Sequence, residues 1–461
     1  MEVITRFAPS PTGELHIGGA RTALFNYLYS KNQKGKFLLR VEDTDKERSK
    51  DEYEKQIVSS LNWLGINFDD NVIYQSKNID SHKKIIEQLL EKELAYKCYC
   101  KPEELDEKRE IAKKNSIPFL YDGKCRDQKE KNTNESFAIR FKITKGKKII
   151  LRDGVQGDVE IESDTLEDFI IQRSDGTPTY NLSAAVDDKN MKVTHIIRGD
   201  DHKINAFKQM LIFLSMDWKL PKYFHIPLIH SENGKKLSKR DNASTTEDYK
   251  KIGILPIALR NYLLRLGWSY KDKEVFSDEE SIKMFTLKNI GKSPSKLDFE
   301  RIKSLNEYYI KSLGLSDLNS EFKLYIKKYK PDLQDKYLYT ILKNLDILKN
   351  KAKTLEDIYI NSNFIYNYSD NINDKDNLVN EKTHVYIKEF YDEVSNLEEF
   401  NEDKIMAISQ KIISQNNIKF KDFGQPIRLV LTNASQAPSI KDIVKILGIP
   451  ETVQRLKKYL N

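Results

Sequence analysis

Residues 7–19 read FAPSPTGELHIGG and connect a strand-like segment, EVITRF, to a helical pattern. Pro9 and Pro11 restrict the backbone around them to extended conformations, whereas Gly13 gives the chain freedom to turn. His16 falls where the helix is predicted to begin, and the unpaired N–H groups of a helix N-terminus favour an anion. Because a histidine there can also donate a hydrogen bond to a phosphate, the stretch indicates a nucleotide-binding turn.

The glycines that end this stretch also suit a nucleotide. Gly18 and Gly19 have no Cβ atom, so a flat ring can lie close to the first helical turn. The spacing matches neither of the phosphate-binding patterns G-x-x-x-x-G-K-[ST] and G-x-G-x-x-G. An ordinary strand-to-helix turn with a structural histidine is therefore the alternative interpretation.

A second stretch, KKLSKR at residues 235–240, favours the nucleotide interpretation. Its three lysines and one arginine surround Ser238 and can hold a polyphosphate through their positive charges. A run of charge is more commonly only a solvated surface. The presence of both stretches in one chain is what supports a shared role.

The composition indicates a soluble protein of several domains. The chain has 461 residues, of which 39% are hydrophobic and 32% are charged, and its length exceeds what one hydrophobic core usually serves. The net charge of +7 permits a nucleic-acid partner without requiring one. We find neither a signal-peptide pattern nor a membrane-length apolar run, and the few cysteines favour a reducing compartment. We expect a cytoplasmic protein with no membrane contact.

The order of predicted elements gives a fold class. Strand-like EVITRF and KFLLRVED alternate with helical patterns at residues 20–29, 51–64 and 80–94, which favours a parallel sheet with crossover helices. Short β-like runs interrupt this rhythm between residues 97 and 179, and VTHIIRGDD and YFHIPLIH resume it. The chain after residue 250 reads as helical. We expect a Rossmann-type α/β catalytic domain with an α+β insertion, followed by mostly α-helical C-terminal domains.

The two motifs together resemble the class I aminoacyl-tRNA synthetases. HIGG at residues 16–19 is similar to the HIGH signature, and KLSKR at residues 236–240 is similar to KMSKS. The final glycine departs from HIGH, but this form is common in the glutamyl branch. Bacterial glutamyl-tRNA synthetases resemble the chain closely over the first 310 residues and loosely after them, in the runs RFAPSPTGELHIGGARTALFNYLYS, GKFLLRVEDTDKERS, YNLSAAVDD, HIIRGDDH, LRNYLLRLGWS and FERIKSLNEYYI.

The resemblance implies an activity. It implies an ATP-dependent ligase that joins L-glutamate to tRNA-Glu through glutamyl-adenylate and releases AMP and pyrophosphate, with Mg²⁺ accompanying ATP. An enzyme that also glutamylates tRNA-Gln is one alternative, and an enzyme that glutamylates queuosine in tRNA is another. The queuosine enzymes stop after the catalytic part, so the long chain after Asn306 opposes that reading. A small nucleotidyltransferase would lack KKLSKR, and an inactive RNA-binding paralogue should have lost His16, Lys239 or Arg6.

The resemblance also implies a domain organisation, and a monomer is the usual state of the family. Two helical bundles at the C-terminus fit the bacterial glutamyl type, whereas glutaminyl-tRNA synthetases have β-barrels there. We expect the following segments: 1–96, first half of the Rossmann catalytic domain; 97–179, inserted acceptor-stem-binding domain with the cysteines; 180–232, second half of the catalytic domain; 233–305, KMSKS loop and stem-contact helical domain; 306–372 and 373–461, two anticodon-binding helical bundles.

The resemblance assigns residues to ATP. His16, Lys236 and Lys239 are expected to stabilise charge that develops during adenylate formation. The full ATP-binding set is Pro9, Thr12, Gly13, His16, Gly18, Gly19, Lys236, Leu237, Ser238, Lys239 and Arg240.

A glutamate site needs cations for two carboxylates and a carboxylate for one ammonium. Arg6, Glu42 and Arg198 each end a predicted strand, at the edge where open α/β sheets bind ligands, and Tyr180 opens YNLS. We expect Arg6 and Tyr180 at the side-chain carboxylate and Glu42 at the amine. By resemblance the full set is Arg6, Ala8, Ser10, Glu42, Tyr180 and Arg198. A structural ion network with Arg40 and Arg48 is the alternative role for Glu42 and the expected role for Asp43 and Asp45.

The cysteines Cys98, Cys100 and Cys125 can supply three thiolates to a structural zinc ion. Bacterial relatives that bind zinc have a histidine two residues after the third cysteine, where this chain has Asp127. Tyr121 matches the Tyr-x-x-x-Cys pattern of the queuosine-modifying enzymes. The fourth ligand is therefore Asp127 or Tyr121, and three reduced thiols without a metal are the alternative.

Overall fold

The computed structural model describes residues 2–45, 47–128, 135–231, 234, 245–369, 372, 377–435 and 437–461. The predicted KMSKS-like residues 236–240 lie outside these residues. The chain divides into unit 1, Met1–Asp248 with Arg260–Asp298, and unit 2, Tyr249–Leu259 with Phe299–Asn461. Among the described helices, none has the length and apolar character that a membrane crossing needs.

The strands of the described residues all belong to unit 1. They are β1 Ile4–Phe7, β2 Lys36–Val41, β3 Ile73–Tyr74, β4 Ala95–Cys98, β5 Ala138–Phe141, β6 Lys148–Asp153, β7 Gly157–Glu162, β8 Ile170–Gln172, β9 His195–Gly199, β10 Lys222–Ile226, β11 Ile229–His230 and β12 Ser295–Lys296.

The helices fall in both units. They are α1 Ile17–Asn32, α2 Asp51–Trp63, α3 Ile79–Glu91, α4 Pro102–Lys114, α5 Tyr180–Asn190, α6 Lys203–Ser215, α7 Thr246–Lys251, α8 Pro256–Arg265, α9 Asp278–Met284, α10 Phe299–Ser312, α11 Leu315–Tyr329, α12 Asp335–Lys343, α13 Leu345–Leu348, α14 Leu355–Asn361, α15 Asn363–Tyr366, α16 Glu381–Ser395, α17 Glu402–Gln415, α18 Phe420–Thr432 and α19 Ile440–Leu460.

Unit 1 contains two sets of parallel strands. Strands β1, β2 and β3 pair in parallel, and β9, β10 and β6 do the same in a second sheet. The backbone N–H of Thr194 donates to the carbonyl of Ile4 over 2.9 Å, which joins the start of β9 to the start of β1. Parallel strands gather their carboxyl ends at one edge, as the predicted α/β class requires. That part of the fold prediction is confirmed.

Helix α1 connects β1 to β2 and is buried on most of its surface. Ala20, Leu24, Phe25 and Leu28 are almost inaccessible to solvent. The polar residues Arg21, Asn26 and Ser30 of the same helix are buried as well. Burial on all sides fixes α1, and therefore the turn before it, in place.

The inserted segment is divided between two sheets. Strands β4, β5 and β8 form an antiparallel sheet, but the β6–β7 hairpin pairs with β10 instead. Ile149 and Leu151 of β6 alternate inward and share a core with Ile196 of β9 and Tyr223 of β10. The period-two pattern predicts a strand correctly, but it does not identify the partner strand.

Unit 2 is helical in all its described elements, which confirms the prediction for the C-terminal part. Helices α16 to α19 enclose a core of Phe390, Ile412, Phe423 and Val430. Helix α15 is short, and Phe364 on it is buried.

Candidate active site

A cavity of about 740 Å³ lies at the carboxyl ends of β1, β2 and β9. Every predicted site residue for ATP or glutamate that the structure describes lines it. They are Arg6, Ala8, Pro9, Ser10, Thr12, Gly13, His16, Gly18, Gly19, Glu42, Tyr180 and Arg198. The cavity therefore brings together four segments that are distant in sequence.

His16 occupies the N-cap of α1. Its Nδ1 accepts a hydrogen bond from the backbone N–H of Gly18 over 3.1 Å. Because Nδ1 is the acceptor, the neutral ring carries its proton on Nε2, which can donate to an anion. A Cβ atom at Gly18 would lie 2.9 Å from the His16 Cε1 atom. The glycine therefore makes room for the imidazole itself.

A buried ion network lies beneath the cavity. Oδ1 of Asp188 accepts from Nε of Arg6 over 3.0 Å and from Nη1 of Arg40 over 2.6 Å, and Nη2 of Arg40 lies 3.1 Å from Oε1 of Glu42. Burial opposes ionisation of Asp188, but the two arginines hold the pKa of its carboxyl below the ordinary value. Burial raises the pKa of Glu42 despite the neighbouring Arg40. The network fixes Arg6 and Glu42 relative to each other.

The expected partners of the nearby aspartates are only partly found. Asp45 pairs with Arg48 over 2.6 Å, as predicted. For Asp43 the prediction of an arginine partner is wrong, since its carboxylate accepts from the N–H of Ser76 over 2.8 Å. The Arg40 side chain is completely buried and pairs with Asp188 and Glu42 instead.

Tyr180 and Arg198 face the cavity from α5 and β9. The hydroxyl of Tyr180 lies 3.2 Å from Nδ1 of His202. Burial, together with the charge of Arg198, lowers the pKa of His202 to about 4, so this ring is neutral at physiological pH. Nη1 of Arg198 donates to Oε1 of Gln209 over 2.8 Å.

Sequence reasoning missed several charged and polar residues that line or support the cavity. Arg21 of α1 is buried and donates to the carbonyls of Leu266, over 3.0 Å, and Pro227. Burial lowers its pKa to about 10. Asp188 ends the YNLSAAVDD run, in which two adjacent carboxylates follow Ala184–Val186, and this pair of acids was the signal available for it.

The three cysteines converge in the inserted segment. Their sulfur atoms all lie within 4.8 Å of one another, and those of Cys100 and Cys125 are 3.7 Å apart. The hydroxyl of Tyr121 lies 3.5 Å from the sulfurs of both Cys98 and Cys100. Asp127 instead pairs with Lys142 and is 84% exposed. The structure thus groups Tyr121, and not Asp127, with the thiols.

A buried arginine adds to this cysteine cluster. Arg140 stacks its guanidinium 3.7 Å from the centre of the Tyr121 ring and donates from Nε to the Cys98 sulfur over 3.3 Å. Burial opposes the thiolate, but hydrogen bonding with Tyr121 and Arg140 holds the pKa of the Cys98 thiol below its ordinary value. Thiolates are the form in which cysteine binds metals.

Comparison with known proteins gives full-length similarities. The family model described as "tRNA synthetases class I (E and Q), catalytic domain" matches residues 2–304, and the model "Anticodon binding domain" matches residues 314–460. The glutamate–tRNA ligase of Pelagibacter ubique is 53% identical, with 99% of this chain and 98% of that protein covered. Glutamate–tRNA ligase 1 of Orientia tsutsugamushi is 42% identical, with 98% and 96% covered.

Solved structures show the same similarity. The crystal structure of a glutamate tRNA ligase from Elizabethkingia meningosepticum in complex with its amino acid has a TM-score of 0.88 and 29% identity. The match covers 100% of this chain and 99% of that one. A glutamate-tRNA synthetase from Elizabethkingia anophelis gives a TM-score of 0.86 at 29% identity, with 100% of each chain covered.

Proposed function

The chain belongs to the class I tRNA synthetases of the glutamate and glutamine type and ligates glutamate to tRNA, and we propose that it activates glutamate with ATP in the cavity of unit 1. One observation carries this proposal. A single cavity joins the His16 turn, which suits a phosphate, to Arg6, Arg198 and Glu42, which suit an amino acid with two carboxylates. Enzymes of this class use ATP and Mg²⁺.

The charges of the cavity complement L-glutamate. The guanidinium groups of Arg6 and Arg198 can each hold a carboxylate, and Glu42 can hold the ammonium. We assign Arg6 and Tyr180 to the side-chain carboxylate. Glutamine would present a neutral amide and leave a buried guanidinium without its counter-charge. We expect this mismatch to disfavour binding of glutamine relative to glutamate by roughly several kcal/mol.

Adenylate formation is mainly a matter of position and charge. An oxygen of the glutamate α-carboxylate forms a bond to the α-phosphorus of ATP, while the bond from that phosphorus to the bridging oxygen breaks and pyrophosphate leaves. Nε2–H of His16 and the N-terminus of α1 can stabilise the phosphate oxygens during this step. Mg²⁺ bound to the ATP phosphates offsets their charge.

Lys236 and Lys239 are proposed to assist from the KMSKS-like stretch. The chain after this stretch re-enters the described structure at Thr245, which pairs with His16 in an antiparallel bridge. Arg240 precedes Thr245 by only five positions. This short tether supports a role for the two lysines at the same phosphates.

The second step transfers glutamate to tRNA. A terminal ribose hydroxyl attacks the carbonyl carbon of the adenylate, and AMP leaves. We propose that residues 1–96 and 180–232 form the catalytic domain. The inserted residues 97–179 are proposed to hold the acceptor end of tRNA, and residues 233–305 to contact its stem. Two helical segments, 306–372 and 373–461, are proposed to bind the anticodon.

Glutamate-dependent exchange between ATP and pyrophosphate tests the function. We expect exchange when tRNA-Glu is present and little without it, because this branch is expected to need tRNA to place ATP productively. Exchange without tRNA would point to the tRNA-modifying relatives. No exchange under either condition would contradict the proposed activity.

The same protein preparation addresses the choice of tRNA and the assembly state. We propose tRNA-Glu as the substrate and a cytoplasmic monomer as the working form. Charging of tRNA-Glu and tRNA-Gln transcripts is compared in parallel, and equal rates would show an enzyme that accepts both. Light scattering at several concentrations measures the assembly state.

We propose that Cys98, Cys100, Cys125 and Tyr121 hold a structural zinc ion. Ligand sulfurs of a tetrahedral zinc lie about 3.8 Å apart, since each Zn–S bond is about 2.3 Å. The 3.7 Å between two of the sulfurs and the 3.5 Å from Tyr121 to two of them fit that arrangement. The fourth ligand in this proposal is a phenolate instead of a histidine or a fourth cysteine.

Elemental analysis of freshly purified protein should find about one zinc per chain. Cys125→Ser and Tyr121→Phe are expected to lower the zinc content, because each removes a donor from the cluster. Asp127→Asn is the matched control and should retain zinc, since its carboxylate faces Lys142. A metal-free wild-type protein would refute the site, and zinc loss only in the Asp127 variant would reassign the fourth ligand.

A further inference from the structure

We propose that Asp153 and His225 are positioning residues that direct the guanidinium of Arg198 toward bound glutamate. This inference rests on the proposed role of Arg198 in binding the amino acid. Neither Asp153 nor His225 lines the cavity, and neither was singled out in the sequence. They act behind Arg198 through a chain of buried hydrogen bonds.

The three side chains form a continuous line through the sheet. Nδ1 of His225 lies 2.6 Å from Oδ2 of Asp153, and both side chains are essentially inaccessible to solvent. On the other edge of the ring, Nε of Arg198 donates to Nε2 of His225 over 3.2 Å. The line therefore crosses three neighbouring strands, β6, β10 and β9.

Asp153 determines which nitrogen of His225 carries the proton. Its Oδ1 accepts from the N–H groups of Val155 and Gln156 over 2.9 and 2.8 Å, and its Oδ2 accepts from the N–H of His225 over 3.0 Å. A carboxylate has only acceptors, so the short contact to Nδ1 requires a proton on Nδ1. Nε2 is then left as the acceptor that Arg198 needs.

The protonation states agree with this geometry. Burial lowers the pKa of His225, and the charges of Arg198 and Lys203 act in the same direction, while Asp153 opposes them. Burial also disfavours the Asp153 carboxylate, but hydrogen bonds from His225, Gln156 and Val155 hold its pKa below the ordinary value. A neutral imidazole beside an ionised carboxylate is the combination that leaves Nε2 able to accept.

The guanidinium of Arg198 still has N–H groups that can donate to a ligand, although other N–H groups are bound to the protein. Nη1 of Arg198 donates to Gln209 over 2.8 Å, and Nη2 lies 3.4 Å from the carbonyl of His202. Each terminal nitrogen carries a second N–H that a carboxylate can accept. With Nε bound to His225, the plane of the guanidinium is set before glutamate arrives, so binding does not have to order it.

The hairpin of the inserted segment supplies Asp153. The aspartate ends β6, and its only register partner in β10 is Tyr223. Gly154 follows it, and a Cβ atom there would lie 2.1 Å from the Phe224 ring. Because only glycine permits this close approach, the hairpin can bring a carboxylate from the insertion to the back of the amino-acid site.

Two substitutions of His225 separate the positioning role from a purely structural one. His225→Gln places an acceptor near the position of Nε2 and keeps the bond to Arg198, whereas His225→Asn keeps a donor near Nδ1 and loses that bond. We expect the asparagine variant to raise KM for glutamate by about 10- to 100-fold, with KM for ATP unchanged. The glutamine variant should remain within about threefold of wild type. The reverse ranking, or equal KM values for the two variants, would overturn the proposal.

A spectroscopic measurement keeps the proposal testable if these variants fold poorly. Nitrogen-15 spectra of the wild-type protein with labelled histidine report the protonated nitrogen of each ring. We expect His225 to carry its proton on Nδ1, and a proton on Nε2 would overturn the proposal. Asp153→Asn, which can donate to Nδ1, should move the proton to Nε2 and raise KM for glutamate.

Arg198→Lys distinguishes failure of this inference from failure of the proposed function. If that variant leaves KM for glutamate unchanged, the proposed role of Arg198 is wrong and the positioning proposal fails with it. If Arg198→Lys raises KM but His225→Asn does not, only the positioning proposal fails. Both KM values are measured by exchange in the presence of tRNA-Glu.

Discussion

Replacing His16 by alanine is expected to slow glutamyl-adenylate formation by about 100- to 1,000-fold, the effect of removing one preorganised donor from a developing charge. The bond from Gly18 to Nδ1 leaves the proton on Nε2. That donor lies at the start of α1, in the same cavity as Arg198. Single-turnover formation of the adenylate, with saturating glutamate and tRNA-Glu, measures the effect.

His16→Asn tests whether the histidine is only a helix cap. Asparagine is among the best N-cap residues, so this variant should keep the cap hydrogen bond and the thermal stability of the protein. It cannot present a donor where Nε2 lies. We therefore expect a slow rate in both variants and a lower melting temperature only in His16→Ala. A wild-type rate in His16→Asn would show that the residue is structural, which was the alternative interpretation of the sequence.

Asp188→Asn is expected to lower the free energy of unfolding by about 3–5 kcal/mol, because it removes the charge that compensates two buried arginines. Its carboxylate binds Arg6 and Arg40, and its side chain is 1% exposed. The variant should also raise KM for glutamate, because Arg6 and Glu42 are held through this network. Urea denaturation measures the stability, and exchange measures KM.

A surface pair of equal length provides the control. Lys148 and Glu160 lie 2.6 Å apart, the same distance as Arg40 and Asp188, but their side chains are 63% and 47% exposed. Glu160→Gln is therefore expected to cost less than about 1 kcal/mol. Equal effects of the two substitutions would contradict the assignment of Asp188 as the centre of a buried network.

The pH dependence of the Asp188 effect has a definite sign. Its pKa in the folded protein lies below the ordinary value of about 3.9 expected for the unfolded chain. The stabilisation is therefore fully present above that ordinary value and is lost as the pH falls through the folded-state pKa. The difference in stability between wild type and Asp188→Asn should be constant between about pH 5 and 8 and shrink in stronger acid.

The sequence by itself determined the order of elements, the activity and twelve residues of the cavity lining. The turn FAPSPTGELHIGG could be recognised because proline, glycine and a helix N-cap act locally, on backbone within a few residues. The same holds for the helical spacing of α1 and α2 and for the helical C-terminal part. Arg6, Glu42 and Arg198 were found because strand ends gather at one edge of a parallel sheet.

Only the tertiary structure decided which distant groups meet. The alternation of inward and outward residues in KIILRD predicts a strand, but it does not show that this strand pairs with β10. The position of Asp153 behind Arg198 therefore could not be predicted from the sequence. The resemblance left Tyr121 and Asp127 as alternative fourth ligands, and in the fold the Tyr121 hydroxyl lies near the thiols whereas the Asp127 carboxylate pairs with Lys142. Asp188 of α5 likewise pairs with Arg6 of β1 and Arg40 of β2, which are distant from it in the sequence. Hydrogen bonds and ion pairs between remote segments depend on burial and register, which local sequence patterns do not encode.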